Sequence, residues 1–140
     1  MYFVGLLFAI IILAITMLLG GSPMLFINLP SVLIVVGSSI ALHFATHGGK
    51  NNSAPFNFSV PDNLPEDERK SKFAAIKDFR IFLVASGWLG FLIGIVLMGA
   101  NLNDLNALGP GLAAAFLTVF YGHFLSYFVY YPLQRRLELS

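Results

Sequence analysis

The sequence predicts an all-α membrane protein with four transmembrane helices, cytoplasmic termini and a third helix that extends into the cytoplasm. Three observations carry this reading. Of 140 residues, 57% are hydrophobic and only 11% are charged, far too little charge for the surface of a soluble domain this size. Four apolar runs of helix length take up about half of the chain. All eight Lys and Arg fall between residues 47 and 80 or after residue 132. The same arithmetic excludes a soluble enzyme and a disordered tail. A net charge of +1 with no long basic face argues against nucleic-acid binding. The absence of cysteine excludes disulfides, thiolate chemistry and Cys-based metal sites.

The first expected span is Tyr2 to Leu19. At 1.5 Å per residue it reaches roughly 27 Å, just enough for a hydrocarbon core of about 30 Å. A cleaved signal peptide is the competing reading, but no Lys or Arg precedes Lys50. Gly20-Gly21-Ser22-Pro23 breaks the helix, and a turn-like stretch follows to Leu29. The second span is expected over 30–46, with Pro30 in its first turn where the missing N–H costs nothing. Gly37, Ser38, Ser39 and Ala41 would let a neighbour approach closely.

From His47 to Pro65, Gly, Asn, Ser and Pro dominate, which reads as a loop. A helix should restart near Pro65, with Glu66, Asp67 and Glu68 in its first turn where the helix dipole favours acids. Glu68 and Lys72 stand four apart and could pair. Nothing then stops the helix before Ala100, so one rod roughly 54 Å long is expected, with its last 20 or so residues (81–100) in lipid. Asn101 to Leu108 reads as a polar turn. Gly109-Pro110-Gly111 opens a fourth span, expected over 111–131 and closed by Pro132. The chain is thus read as one four-helix transmembrane domain, with 47–80 as a short cytoplasmic loop and helix extension. The positive-inside rule puts the termini and this central segment in the cytoplasm.

Gly87, Gly90 and Gly94 form one small-residue stripe, and Gly111, Ala115, Thr118, Gly122 and Ser126 form another. The two could pack on each other or line a central space. Ionisable groups within spans are functional suspects. His123, near the middle of the fourth span, is a candidate proton-handling group, weighed against a neutral imidazole bonded to a nearby carbonyl. His43 is a weaker candidate that could snorkel. No span contains Asp or Glu, so an ion relay would need its acid from another chain.

Two segments resemble a known family. Residues 20–40 (Gly20-Gly21-Ser22-Pro23 through Leu29-Pro30-Ser31-Val32 to Ile40) resemble the first periplasmic turn and second helix of the MotA/TolQ/ExbB family, especially the flagellar stator subunits MotA and PomA. Leu108-Gly109-Pro110-Gly111-Leu112 through Thr118 to Gly122 is similar to that family's fourth helix. Gly87-Trp88-Leu89-Gly90-Phe91-Leu92-Ile93-Gly94 is similar to its third. The resemblance covers roughly residues 20–46 and 84–137.

It implies a non-enzymatic, multi-pass protein of the bacterial inner membrane. Five copies would surround two single-span helices of a MotB/ExbD-like partner that supplies the ion-binding aspartate. Ion flow would turn one part against the other. On this reading Thr118 is the pore-facing hydroxyl, and Phe91, Gly94, Ala115, Gly122, Gly87 and Gly90 shape the surface facing the partner. Glu66, Glu68, Arg69, Lys72, Lys77 and Arg80 would dock a cytoplasmic partner. No cofactor or metal is implied. Family members carry a large cytoplasmic domain where this chain has only residues 47–80, and sodium-type members place threonines where this chain has Phe91 and Val119. Losing those oxygens weakens a sodium site, so protons are the expected ion. The alternative is a non-conducting membrane scaffold with the same fold.

Overall fold

The computed structural model describes residues 2–47, 53–61 and 63–139, the side chains from Val4 onward. It is predominantly helical, without strands among the described residues. Helix α1 spans Tyr2–Leu19. Gly21, at φ 137°, turns the chain where a side chain would be strained. Ser22 then caps a 3-10 turn, Pro23–Phe26, accepting from the Met24 amide. Helix α2 occupies residues 29–46. It is capped by Asn28, whose side chain accepts from the Ser31 amide, and it contains a π turn over Leu33–Gly37. After the 3-10 turn Ala54–Phe56 comes α3, Glu66–Ala100, an unbroken 35-residue rod. Helix α4 runs over Leu105–Leu139 with a second π turn, Leu125–Tyr130.

The segments Pro23–Thr46, Glu66–Ala100 and Leu105–Leu139 are long and apolar enough to cross a membrane, and α1 is a shorter apolar helix. This is a multi-pass, all-α membrane protein. Of the loop expected from His47 to Pro65, residues 48–52 and 62 lie outside the described residues, and the remainder is irregular apart from the 3-10 turn Ala54–Phe56.

Both ends of α4 differ from expectation. The helix begins at Leu105, six residues before Gly111, because Asp104 caps it by accepting from the Asn106 amide. Pro110 therefore lies inside the helix. Pro132 does not stop α4 either. The π turn that ends at Tyr130 already breaks the regular hydrogen-bond ladder there, and Tyr131 donates to the Ser126 carbonyl. Proline is tolerated in membrane helices when such local adjustments satisfy the freed groups.

The packing of α3 against α4 organises the molecule. Along α3 the inward positions read Ile76, Phe79, Leu83, Ser86, Gly87 and Gly90, all buried. Along antiparallel α4 they read Ala115, Thr118, Gly122, Ser126, Tyr130, Leu133 and Leu137, also buried. Large side chains meet at the end of the bundle where α3 begins and α4 finishes, here called the charged end. There Ile76, Phe79, Leu83, Tyr130, Leu133 and Leu137 form the apolar core with Val35 of α2 and Val60. Towards the opposite, neutral end the helices meet through small residues. A Cβ on Gly87 would lie 2.8 Å from the Thr118 carbonyl oxygen, and one on Gly122 would lie 2.5 Å from the Leu83 carbonyl oxygen. The small-residue stripes thus pack on each other within one chain.

Helix α1 stands apart. Val4, Leu7, Phe8, Ile11, Ile15 and Leu18 are all exposed, and α1 faces α4 across a gap.

Because backbone fills the space at Gly122, Gly122→Ala should destabilise the fold by about 1–3 kcal/mol. Gly99→Ala, where nothing lies within 4 Å, should leave stability unchanged or slightly raised. Thermal unfolding in detergent compares the two.

Candidate functional site

Near the neutral end, α2, α3 and α4 enclose a cavity of about 340 Å³. Its walls include Ser31 and Ile34 of α2, Gly90 and Gly94 of α3, and Ala115 and Thr118 of α4, while Asn28, Asn101 and Asp104 lie around its mouth. At Gly90 and Gly94 the facing Thr118, Ile34 and Ala115 side chains already take the space of a Cβ, so the cavity lies beside this seam. It is mostly apolar, with a few hydroxyls and amides.

Those polar groups are already engaged. The Thr118 hydroxyl, 2% exposed, lies 2.9 Å from the Gly87 carbonyl and 2.6 Å from that of Ala115, and donates to this pair. It ties α4 to α3 and turns only oxygen lone pairs towards anything else. The Ser31 hydroxyl lies 2.8 Å from the Asn28 side-chain oxygen and 3.0 Å from the Ala114 carbonyl, so it links α2 to α4. Ser39 lies 2.6 Å from the Val35 carbonyl and 3.3 Å from the Ser86 hydroxyl, joining α2 to α3. Tyr121 was not singled out from sequence, yet it straps the first turn to α4. Its hydroxyl accepts from the Asn28 amide at 3.0 Å and donates to the Phe26 carbonyl. The aromatic pair Phe26–Phe120, 6.2 Å between centroids, lies beside this strap.

The residues expected to face a pore separate into two groups. Gly87, Gly90, Ala115, Thr118 and Gly122 are buried against the neighbouring helix of the same chain, which uses up the close approach that small residues permit. Gly94 belongs to the same seam, where an added Cβ would come 2.7 Å from the Ala115 Cβ, and it also lines the cavity. Phe91 alone stands on another face. It packs edge-on with Trp88 at 5.9 Å and lies 5.2 Å from Phe116 of α4. His123 extends this aromatic face, 6.2 Å from Trp88 and 6.1 Å from Tyr127. Its Nδ1 lies 2.9 Å from the Val119 carbonyl, so Nδ1 carries the proton and donates. His43 is fully buried, stacked on His47 at 4.8 Å and edge-on to Phe79, so it does not snorkel. His47 in turn approaches Asp78 at 3.3 Å.

The expected cytoplasmic docking residues also divide. Arg80 is turned inward. Its Nε donates to the Ser126 carbonyl at 3.0 Å, a second donor donates to the Gln134 side chain, and its guanidinium lies over the Tyr127 and Tyr131 rings. It thereby supports the π turn of α4. The expected Glu68–Lys72 pair is not the ion pair that forms. Glu66 pairs with Lys70 at 2.6 Å, and Lys72 donates to the Ser59 carbonyl, its pKa lowered by desolvation. Glu66, Glu68 and Lys77 are exposed, and Arg69 is half-buried beside Phe73 and Leu137. Among the described residues, no group of three or more His, Asp or Glu could hold a metal ion.

The fold and this seam define a multi-pass helical membrane protein whose central helices are held by small-residue contact and buried hydroxyls. Comparison with known proteins narrows the class. The chain is 30% identical over 196 residues to chemotaxis protein PomA of Vibrio alginolyticus, covering 94% of this chain and 77% of that protein. It therefore belongs to the PomA and motility protein A family. The alignment is longer than this chain, so PomA carries residues with no counterpart here. Motility protein A of Aquifex aeolicus (strain VF5) is 38% identical over 73 residues, 51% of this chain and 29% of the relative. YtxD of Bacillus subtilis (strain 168) is 47% identical over 57 residues, 41% and 21% respectively. These shorter matches span less than a third of those relatives. No protein-family model matches the chain.

Tyr121→Phe removes both strap bonds and leaves the Asn28 amide without its acceptor, which should cost about 1–3 kcal/mol. Hydrogen exchange at the Asn28 amide should accelerate in step, while exchange at the charged end stays unchanged.

Proposed function

We propose that this chain is the ion-channel-forming subunit of a stator-like motor unit in the bacterial inner membrane. Five copies would surround two single-span helices of a MotB/ExbD-like partner, and ion flow would drive rotation of one part against the other. The observation that carries this reading is the relationship to PomA along nearly the whole chain. The absence of Asp and Glu from all four expected spans supports a partner that brings the ion-binding carboxylate. The clustering of Lys and Arg at one end supports cytoplasmic termini.

The packing narrows where the partner would sit. Gly87, Gly90, Thr118 and Gly122 are occupied by each other, so on this reading the partner helix meets the face that carries Phe91 and Phe116. Thr118 acts from behind this face by fixing the α3–α4 register. The proton is the transported ion on this reading, because Phe91 and Val119 offer no oxygen to a sodium ion. The exposed Glu66, Glu68 and Lys77 on the first turns of α3 would transmit force to the load. A non-conducting scaffold is favoured by one observation: the hydroxyls of Ser31, Ser39 and Thr118 are all engaged inside the subunit.

The chain has no cysteine, so Phe91→Cys supplies a single thiol. Co-expressed with an acid-bearing single-span partner that carries one engineered cysteine, it should cross-link, whereas Ile81→Cys should not. Proton uptake into cells should depend on the partner's acid and persist when potassium replaces sodium. Assembly without any such partner and without uptake would establish the scaffold.

A further inference from the structure

The gap between α1 and α4 holds two apolar cavities. One, about 320 Å³, is lined by Leu13, Trp88, His123, Phe124 and Phe128. The other, about 340 Å³, is lined by Leu6, Phe58, Phe128, Pro132, Leu133 and Arg136. Phe128 borders both, so they follow one another along α4. Residues 123–136 rise about 20 Å, which matches the depth of one leaflet of a hydrocarbon core about 30 Å thick, together with its interface.

The polarity of this groove is one-sided. Its walls are almost entirely aliphatic and aromatic, and Arg136 stands at the mouth on the charged end. Arg136 is exposed and makes no ion pair or hydrogen bond among the described residues, whereas adjacent Arg135 pairs with Glu138. An unneutralised guanidinium at the rim of a leaflet-deep apolar slot fits an ion with a long hydrocarbon tail. A planar guanidinium also suits phosphate geometry better than an ammonium would. We infer that the α1–α4 groove is a binding site for an anionic phospholipid, with an acyl chain between the helices and the phosphate on Arg136. This accounts for α1 standing off from α4: the lipid completes the packing that protein side chains leave open. The inference does not depend on whether the protein conducts ions.

Trp88 is the only tryptophan in the chain and lines the deeper cavity, so it reports on the groove. The whole protein is placed in nanodiscs of equal parts phosphatidylglycerol and phosphatidylcholine. Two preparations differ only in which lipid carries brominated chains, and quenching of Trp88 is read. The quenching should correspond to about five-fold enrichment of phosphatidylglycerol near Trp88, the factor that one surface cation supplies. Arg136→Gln should abolish the preference, while Arg136→Lys should weaken it and Arg135→Gln should leave it intact. Equal quenching by both lipids, or a preference that survives Arg136→Gln, would overturn the assignment. So would a Trp88 shielded from both lipids, which would place a second copy of the chain in the groove.

Discussion

The contact of backbone on backbone where Gly87 meets Gly122 is the constraint on which the rest of the structure depends. In lipid there is little hydrophobic gain from bringing two apolar helices together, so association rests on close packing and hydrogen bonds. Here the two Cα atoms come near enough that a Cβ added to Gly122 would lie 3.3 Å from the Gly87 Cα. That approach lets the Thr118 hydroxyl reach across to the Gly87 carbonyl. It also leaves room beside Gly90 and Gly94 for α2, whose Ile34 side chain would touch a Cβ on Gly90 at 3.0 Å. The bulky residues at the charged end complete the same interface by ordinary core packing.

A second principle runs through the molecule: polar side chains within the spans are spent on backbone carbonyls. Thr16 donates to Ile12, Ser38 to Ile34 and Ser39 to Val35, each one turn back along its own helix. Ser38 and Ser39 reach the π turn of α2, where the regular ladder is disturbed. Arg80 does the equivalent for the π turn of α4 from across the interface. An irregular helix survives in hydrocarbon only when its displaced groups find such partners. Both π turns therefore sit where a side chain stands ready.

Much of this was legible in the sequence. Hydropathy located the helices, and the acidic first turn near Pro65 located the start of α3. The small-residue stripes were also visible, since period and residue size are local properties. What they pack against is not local. Gly87 and Thr118 look alike whether they face a pore or a neighbouring helix, and the answer lies in how the whole chain closes. Pro110 and Pro132, which read as helix boundaries in the sequence, lie inside α4. At the start, the ordinary cap rule applies at Asp104, upstream of the more conspicuous Gly109-Pro110-Gly111, and at the other end the π turn supported by Arg80 carries α4 past Pro132. Tyr121 and Arg80 carried a faint signal, as polar heads close to a span. Their partners lie 93 or more and 46 residues away in sequence, beyond any periodic pattern.

The strap formed by Tyr121 also sets an order of events during synthesis. Asn28 and Tyr121 are joined by a hydrogen bond across 93 residues, and chains are made from the N-terminus onward. When α1 and α2 enter the membrane, the turn between them faces water with its amide and carbonyl hydrated. It stays in that state while the central segment and all of α3 are translated. Only the arrival of α4 supplies the phenol that takes over from water. The first hairpin built is therefore the last to be sealed, and the final helix acts as the keystone of the bundle.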